Sequence, residues 1–168
     1  VSTSDMYFNV DAMVQAYTES GAKGNISRCV ANPMGADMET LPGFVEARQA
    51  VAKHHNAAEG RIRIDISGHA EYTTNEETLR VLAEEAKKSN LNMHIHVAET
   101  EFETKGCIER HGMTPVEWLD YCGIFDVPAN AAHCVWLTDN DVSILKNKGV
   151  TVSSNPVSNL KLVSGICE

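Results

Sequence analysis

The sequence predicts an α/β fold in which parallel strands alternate with helices, and three observations carry that prediction. Short apolar runs and helical patterns take turns along the 168 residues. They recur at roughly 25–40 residues, the size of a strand–helix–strand unit. Within the clearest run, residues 61–66, Ile62, Ile64 and Ile66 share one face and Arg61, Arg63 and Asp65 the other, the period-2 signature of a strand. Composition is that of a globular chain, 43% hydrophobic and 22% charged, with enough residues to bury one real core.

In order, residues 3–8 are the first expected strand. Residues 10–20 follow as a helix with Met13, Ala16 and Tyr17 at helical spacing, Asn9 as N-cap and Gly21 as the stop. Residues 25–31 are the second strand. Residues 32–42, rich in Gly, Pro and Asp, are a loop, and 44–54 a helix. The isoleucine strand comes third, and residues 67–73 are a polar loop at its end. Thr74 is expected to cap the next helix, with Glu77 three residues on completing a capping box. That helix carries Leu79, Leu82, Ala83 and Ala86 on one stripe and stops at Asn90. Residues 92–97 form a strand, 102–111 and 115–121 two helices separated by Gly112, and 130–137 an apolar run containing His133. Thr138, Asp141 and Gly149 bracket a helix over 138–148. Residues 150–153 are the last strand, and 155–168 read as irregular.

Two architectures fit six strands and five helical connections: an open doubly wound sheet, or part of a (β/α)8 barrel. No G-x-G-x-x-G or G-x-x-x-x-G-K-[ST] loop is present, which removes the usual nucleotide-binding form of the open sheet. A closed barrel needs eight strands and typically ~250 residues, so the barrel reading makes this chain a fragment. The first residue is Val1 rather than an initiator Met, so the chain is silent on any leader segment.

Net charge is −9 with no basic run, which argues against a nucleic-acid or anionic-membrane binder. No apolar run approaches the ~20 residues that span a bilayer. Five cysteines (Cys29, Cys107, Cys122, Cys134 and Cys167) are an odd number without C-x-x-C spacing. A disulfide framework or four-cysteine zinc module is not expected, and a reducing cytoplasm is.

Parallel α/β folds place chemistry at the C-terminal ends of strands. His69 follows the isoleucine strand, His96 and Glu99 end the next, and His133 ends the one after. Neighbouring strand tips bring these together. His94 and His96 share one strand face, and two imidazoles with a nearby carboxylate suit a water-activating zinc site. His94 lies one pleat deeper and suits a packed, hydrogen-bonded role equally well. His133 sits in apolar Ala131-Ala132-His133-Cys134-Val135 and needs a partner, since an unpaired buried imidazole costs ~1–3 kcal/mol. His54, His55 and His111 lie at helix ends, where a solvated surface role is expected.

Three segments are similar, in order, to successive strand-end motifs of the amidohydrolase superfamily: His96-Val97-Ala98-Glu99-Thr100, Ala131-Ala132-His133-Cys134-Val135-Trp136-Leu137, and Ser153-Ser154-Asn155-Pro156-Val157-Ser158-Asn159-Leu160-Lys161-Leu162. Ser4-Asp5-Met6-Tyr7-Phe8 and Gly68-His69-Ala70-Glu71-Tyr72-Thr73 resemble earlier segments. The nearest likeness is to the branch containing S-adenosylhomocysteine and methylthioadenosine deaminases and the triazine chlorohydrolases. The resemblance implies a partial (β/α)8 TIM-type barrel, about strands two to seven, as one incomplete domain over residues 1–168. It implies that His96 is a ligand to one divalent metal (zinc, or iron), that Glu99 carries protons, and that His133 stands beside the nucleophilic water. His69 and Arg28 would contact substrate. It also demotes His94, because the family's His-x-His metal pair belongs to strand one.

Two departures bear on the substrate: Glu71 stands where the branch usually has Pro, and Ser154 where it often has His. The first functional expectation is a metal-dependent hydrolase that deaminates a purine or related nitrogen heterocycle, or removes halide from a triazine-like ring. A small heterocycle is then the partner, with a cytoplasmic homo-oligomer as setting. The second expectation is that this chain, lacking the strand-one pair and the strand-eight Asp, is a catalytically incomplete fragment or scaffold without bound metal.

Overall fold

A computed structural model describes residues 2–167. Residues 1 and 168, the ends of the expected domain, lie outside the described residues. Six strands form one sheet in sequence order: β1 (Ser2–Tyr7), β2 (Lys23–Arg28), β3 (Ile62–Ala70), β4 (Met93–Val97), β5 (Ala129–His133) and β6 (Thr151–Ser153). Every neighbouring pair is parallel. The connections carry α1 (Val10–Ser20), α2 (Pro42–His54), the single turn α3 (Ala57–Gly60), α4 (Glu76–Ser89), α5 (Glu101–His111), α6 (Pro115–Tyr121) and α7 (Asp139–Lys148), and α8 (Pro156–Lys161) follows β6. No helix among the described residues is long and apolar enough to cross a membrane.

The sheet curls as a barrel wall does. In a flat sheet, four strand spacings of ~4.8 Å would hold β1 and β5 about 19 Å apart. Yet Asn130 Nδ2 on β5 donates to Ser4 Oγ on β1 at 3.3 Å, and Ser4 Oγ is 3.4 Å from His94 Nδ1 on β4. Side chains three and four strands apart therefore meet across a concave face. The six strands form a half-barrel, a partial TIM-type barrel as expected.

The convex face is apolar and helix-covered. Ile66, Met93, Ile95, Val97, Ala129 and Ala131 pack with Leu79, Leu82 and Ala86 of α4 and with Val116, Trp118 and Leu119 of α6. A second cluster joins Ile26, Ile62 and Ile64 to Val10 and Val14 of α1. The alternate residues face inward and are polar: Ser4, Ser27, His94, Asn130 and Ser153 bond one another across the concavity.

Four local expectations are corrected. β3 does not stop at Ile66 but runs to Ala70 through a register irregularity between Ser67 and Ala70, so His69 lies in a strand and not in a loop. The N-cap of α4 is Asn75, whose side chain accepts from Thr78 N at 2.8 Å. Thr74 instead donates its hydroxyl to Ala70 O at 2.9 Å, tying the end of β3. The tail is not wholly irregular: α8 begins with Pro156 at its first position, where proline's missing N–H costs nothing. The helix-end histidines are paired, since His54 Nε2 meets Asp11 at 2.6 Å and His111 stacks on Trp118 at 3.7 Å between ring centroids. All five cysteines are free thiols.

Candidate active site

The C-terminal ends of β3, β4 and β5 bring three imidazoles into a row. The His69 and His96 ring centroids are 5.1 Å apart and those of His96 and His133 are 5.2 Å apart. Glu99 joins this row at one end, with Oε1 3.6 Å from His133 Nδ1. Register accounts for part of the convergence: Val97 pairs with His133, and Ala70 with His96.

The β3 irregularity accounts for the rest. Ser67 pairs with His94 and Ala70 with His96, so three steps on β3 match two on β4. Such a bulge re-aims the residues within it. His69 N donates to Val30 O at 2.8 Å. The His69 carbonyl accepts from His96 Nδ1 at 2.8 Å. The ring nitrogen of His69, Nδ1, lies 2.8 Å from Thr73 Oγ1.

His96 has the chemistry of a metal ligand. A carbonyl can only accept, so Nδ1 carries the hydrogen and Nε2 keeps its lone pair. Burial pushes the imidazole down to about 4, with nearby His69 adding repulsion and the His69 carbonyl bond opposing. The ring is then neutral at pH 7, the form that binds metal, and its second nitrogen is anchored as ligating histidines usually are. These features fit a divalent metal at His96. Among the described residues, no group of three or more His, Cys, Asp or Glu side chains is arranged to hold a metal ion.

His94 occupies the layer below. Its Nδ1 lies 3.4 Å from both Ser4 Oγ and Ser27 Oγ, and burial lowers it to about 4. It is engaged with the concave wall. His69 is also lowered by burial, while the charge of Glu99 pulls it the other way.

His133 is held from a direction the strand pattern does not reveal. Its Nδ1 donates to Oδ1 of Asn159 on α8 at 2.8 Å, and both side chains are buried. The sequence pattern assigns Asn159 no role of its own. Its only sequence signal is its place in the motif over residues 153–162.

The chain bends sharply just past β4 and β5. Ala98, His133 and Cys134 all have positive φ (47°, 74° and 50°), a conformation costing ~1–2 kcal/mol per L residue. Cross-bonds hold it: Cys134 N donates to Val97 O at 2.9 Å, and Val135 N and Trp136 N both donate to Ala98 O at 3.0 Å. Strain of this kind gathers where a site fixes its geometry.

Arg28 and Glu71 look elsewhere. Arg28 shares its strand face with Ile26, the convex one. Its guanidinium Nε donates to Glu46 of α2 at 2.6 Å and stands over the Phe8 ring at 5.1 Å. The structure does not bring Arg28 to the histidine row; its substrate-binding role stays an expectation drawn from the resemblance. Glu71, whose identity bore on substrate choice, is buried away from the row. Arg110 grips it through two nitrogens at 2.7–3.2 Å, and His111 Nε2 donates to it at 3.2 Å.

Comparison with known proteins follows the same line. The amidohydrolase family model matches residues 1–168. A 5-methylthioadenosine/S-adenosylhomocysteine deaminase of Dictyoglomus thermophilum is 41% identical over 167 residues, 99% of this chain and 38% of that protein. A 5'-deoxyadenosine deaminase of Methanothermobacter thermautotrophicus is 41% identical over 165 residues, 98% of this chain and 38% of that protein. Among solved structures, an adenosine deaminase from Xanthomonas campestris with bound zinc superposes with a TM-score of 0.83 at 26% identity, covering 96% of this chain and 36% of that one. The chain thus spans about two-fifths of the length of the curated relatives it matches.

Proposed function

The chain belongs to the amidohydrolase family, and from that membership we propose that it is the central part of a metal-dependent deaminase acting on an adenosine-type nucleoside. The observation that carries the reading is the row of His69, His96 and His133 with Glu99 at its end, drawn from three successive strands. The deaminase relatives favour loss of ammonia over loss of halide.

His96 would hold a divalent metal, zinc or iron, through Nε2, together with ligands from outside this chain. Such a metal supplies Lewis acidity that makes water nucleophilic near neutral pH. In the proposed reaction a water oxygen adds to the ring carbon bearing the amino group. Glu99 takes the water's proton and delivers it to the adjacent ring nitrogen, relieving charge that builds on the ring. His133, fixed through Nδ1 by Asn159, hydrogen-bonds the attacking oxygen and holds it in line. The proton left on the added hydroxyl then passes through Glu99 to the amino group, the C–N bond breaks, ammonia leaves, and the ring keeps the oxygen as a carbonyl. His69 lines the pocket and, through its main chain, fixes the His96 tautomer.

The test is Glu99→Gln in the intact enzyme. Turnover of a 5'-substituted adenosine is expected to fall by at least ~10²-fold, the scale of a lost general acid–base group, with metal content unchanged. Normal turnover would remove Glu99 from this role.

A further inference from the structure

We propose that Glu103 is a positioning residue that fixes the Glu99 turn from beneath, because its buried carboxylate bonds the two main-chain N–H groups of Ala98 and Glu99. The inference rests on the reading of Glu99 as the proton carrier. Oε1 accepts from Ala98 N at 3.1 Å and Oε2 from Glu99 N at 2.8 Å. Only 3% of the residue is exposed.

The chain supplies its own comparison. Three helices open on Thr-x-x-acid. In α6, Glu117 returns to the N–H of its own cap, Thr114, at 2.9 Å. In α7, Asp141 does the same to Thr138 at 2.8 Å. Both acids close an ordinary capping box, which serves the helix. In α5 the cap Thr100 accepts from Glu103 N at 3.1 Å, but the Glu103 side chain passes the cap and reaches one and two residues further back. Its targets are the two amides that set the direction of Glu99.

Those amides need holding. Ala98 has φ 47°, a strained value for alanine, and its carbonyl already receives Val135 N and Trp136 N from the β5 side. Glu103 thus secures the N–H edge of a turn whose carbonyl edge is tied to the His133 strand. Glu99 and His133 are thereby referenced to one another through main chain. Helix stability alone is a poor reason for this arrangement, since burial pushes the Glu103 carboxyl up to about 7 against the main-chain bonds that favour its charge.

The experiment compares E99Q, E103A, E103Q and E99Q/E103A in the intact, metal-loaded enzyme, with hydrogen exchange of the Ala98 and Glu99 amides as an activity-independent readout. E103A is expected to lower kcat by about 10²-fold, the cost of ångström-scale misplacement of a reacting group. KM and metal content should stay within about twofold. The two amides should exchange faster while those of β4 do not. The double variant should be no slower than E99Q alone, because Glu103 acts through Glu99; a merely structural role would add its own loss. If E103A does not fold, E103Q decides: it keeps one acceptor oxygen, and a loss of about tenfold supports the proposal while wild-type kcat overturns it. Wild-type kcat in E103A with E99Q crippled overturns the positioning role and leaves the proposed function standing. Full turnover in E99Q removes Glu99 from the proton-carrier role and with it the premise of this inference, and unchanged exchange at the two amides would separately refute the clamp.

Discussion

Single residues in this chain are best understood by what their second polar atom touches. His96 is tied by Nδ1 to the His69 carbonyl, and His133 by Nδ1 to Asn159, which leaves one nitrogen of each ring for chemistry. Glu71 and Glu103 are both buried carboxylates with opposite solutions. Glu71 pairs with an arginine, while Glu103 relies on main-chain donors and has its carboxyl raised from the ordinary 4.5 to about 7 by burial. That shift has a definite consequence for stability. The folded state holds the Glu103 proton to higher pH than the unfolded state, so the slope of stability with pH is negative between the two values. The contribution is full below pH 4.5 and is lost as pH rises through about 7. Urea unfolding of wild type and Glu103→Gln across this range should show wild type losing ground to the variant as pH rises. Other titrating groups cancel in the difference. Parallel stability curves would contradict the burial of an ionisable Glu103.

At the scale of elements, the helix boundaries follow local chemistry. Gly21 and Gly149 end α1 and α7 with φ of 74° and 67°, where glycine has no Cβ to clash. Asp141 and Thr138 close a capping box at α7. At α4 the expected cap was Thr74, and the packing of β3 moves the cap to the adjacent Asn75. Thr74 is drawn back to Ala70 O, so Asn75 takes the cap. Asn75→Ala should therefore lower stability by about 1 kcal/mol, the usual worth of a cap, in thermal or chemical unfolding. An unchanged midpoint would return the cap to Thr74. The β3 bulge is the other element-level device. Its sequence signal was Gly68 within a strand-like run, since glycine inside a strand marks bulges and close approaches. Ending the strand at Ile66 passed over it.

At the largest scale, the described residues form a curved wall whose edge strands are β1 and β6. Beyond β6, Val157, Leu160, Leu162, Val163 and Ile166 all stand exposed. Unpaired strand edges and contiguous apolar surface both promote association. The 168-residue polypeptide on its own should therefore self-associate at micromolar concentration, seen as concentration-dependent sedimentation. A monomer at every concentration would refute this.

The sequence by itself determined the alternation of parallel strands and helices, because side-chain periodicity is a local property that burial of one face enforces. It also placed His69 just past the third strand and His96 and His133 at the ends of the next two, and the motif order carried the family. The side of the sheet taken by Arg28 was legible too: it stands two residues after Ile26 and so shares its convex face. Only the tertiary structure decided which groups face one another. The curl that brings Ser4 to Asn130, the bulge that aims the His69 carbonyl at His96, the Asn159 contact with His133 and the reach of Glu103 to the Glu99 turn all join residues through space. Such pairings depend on sheet curvature and register summed over many residues, and no window of sequence contains them.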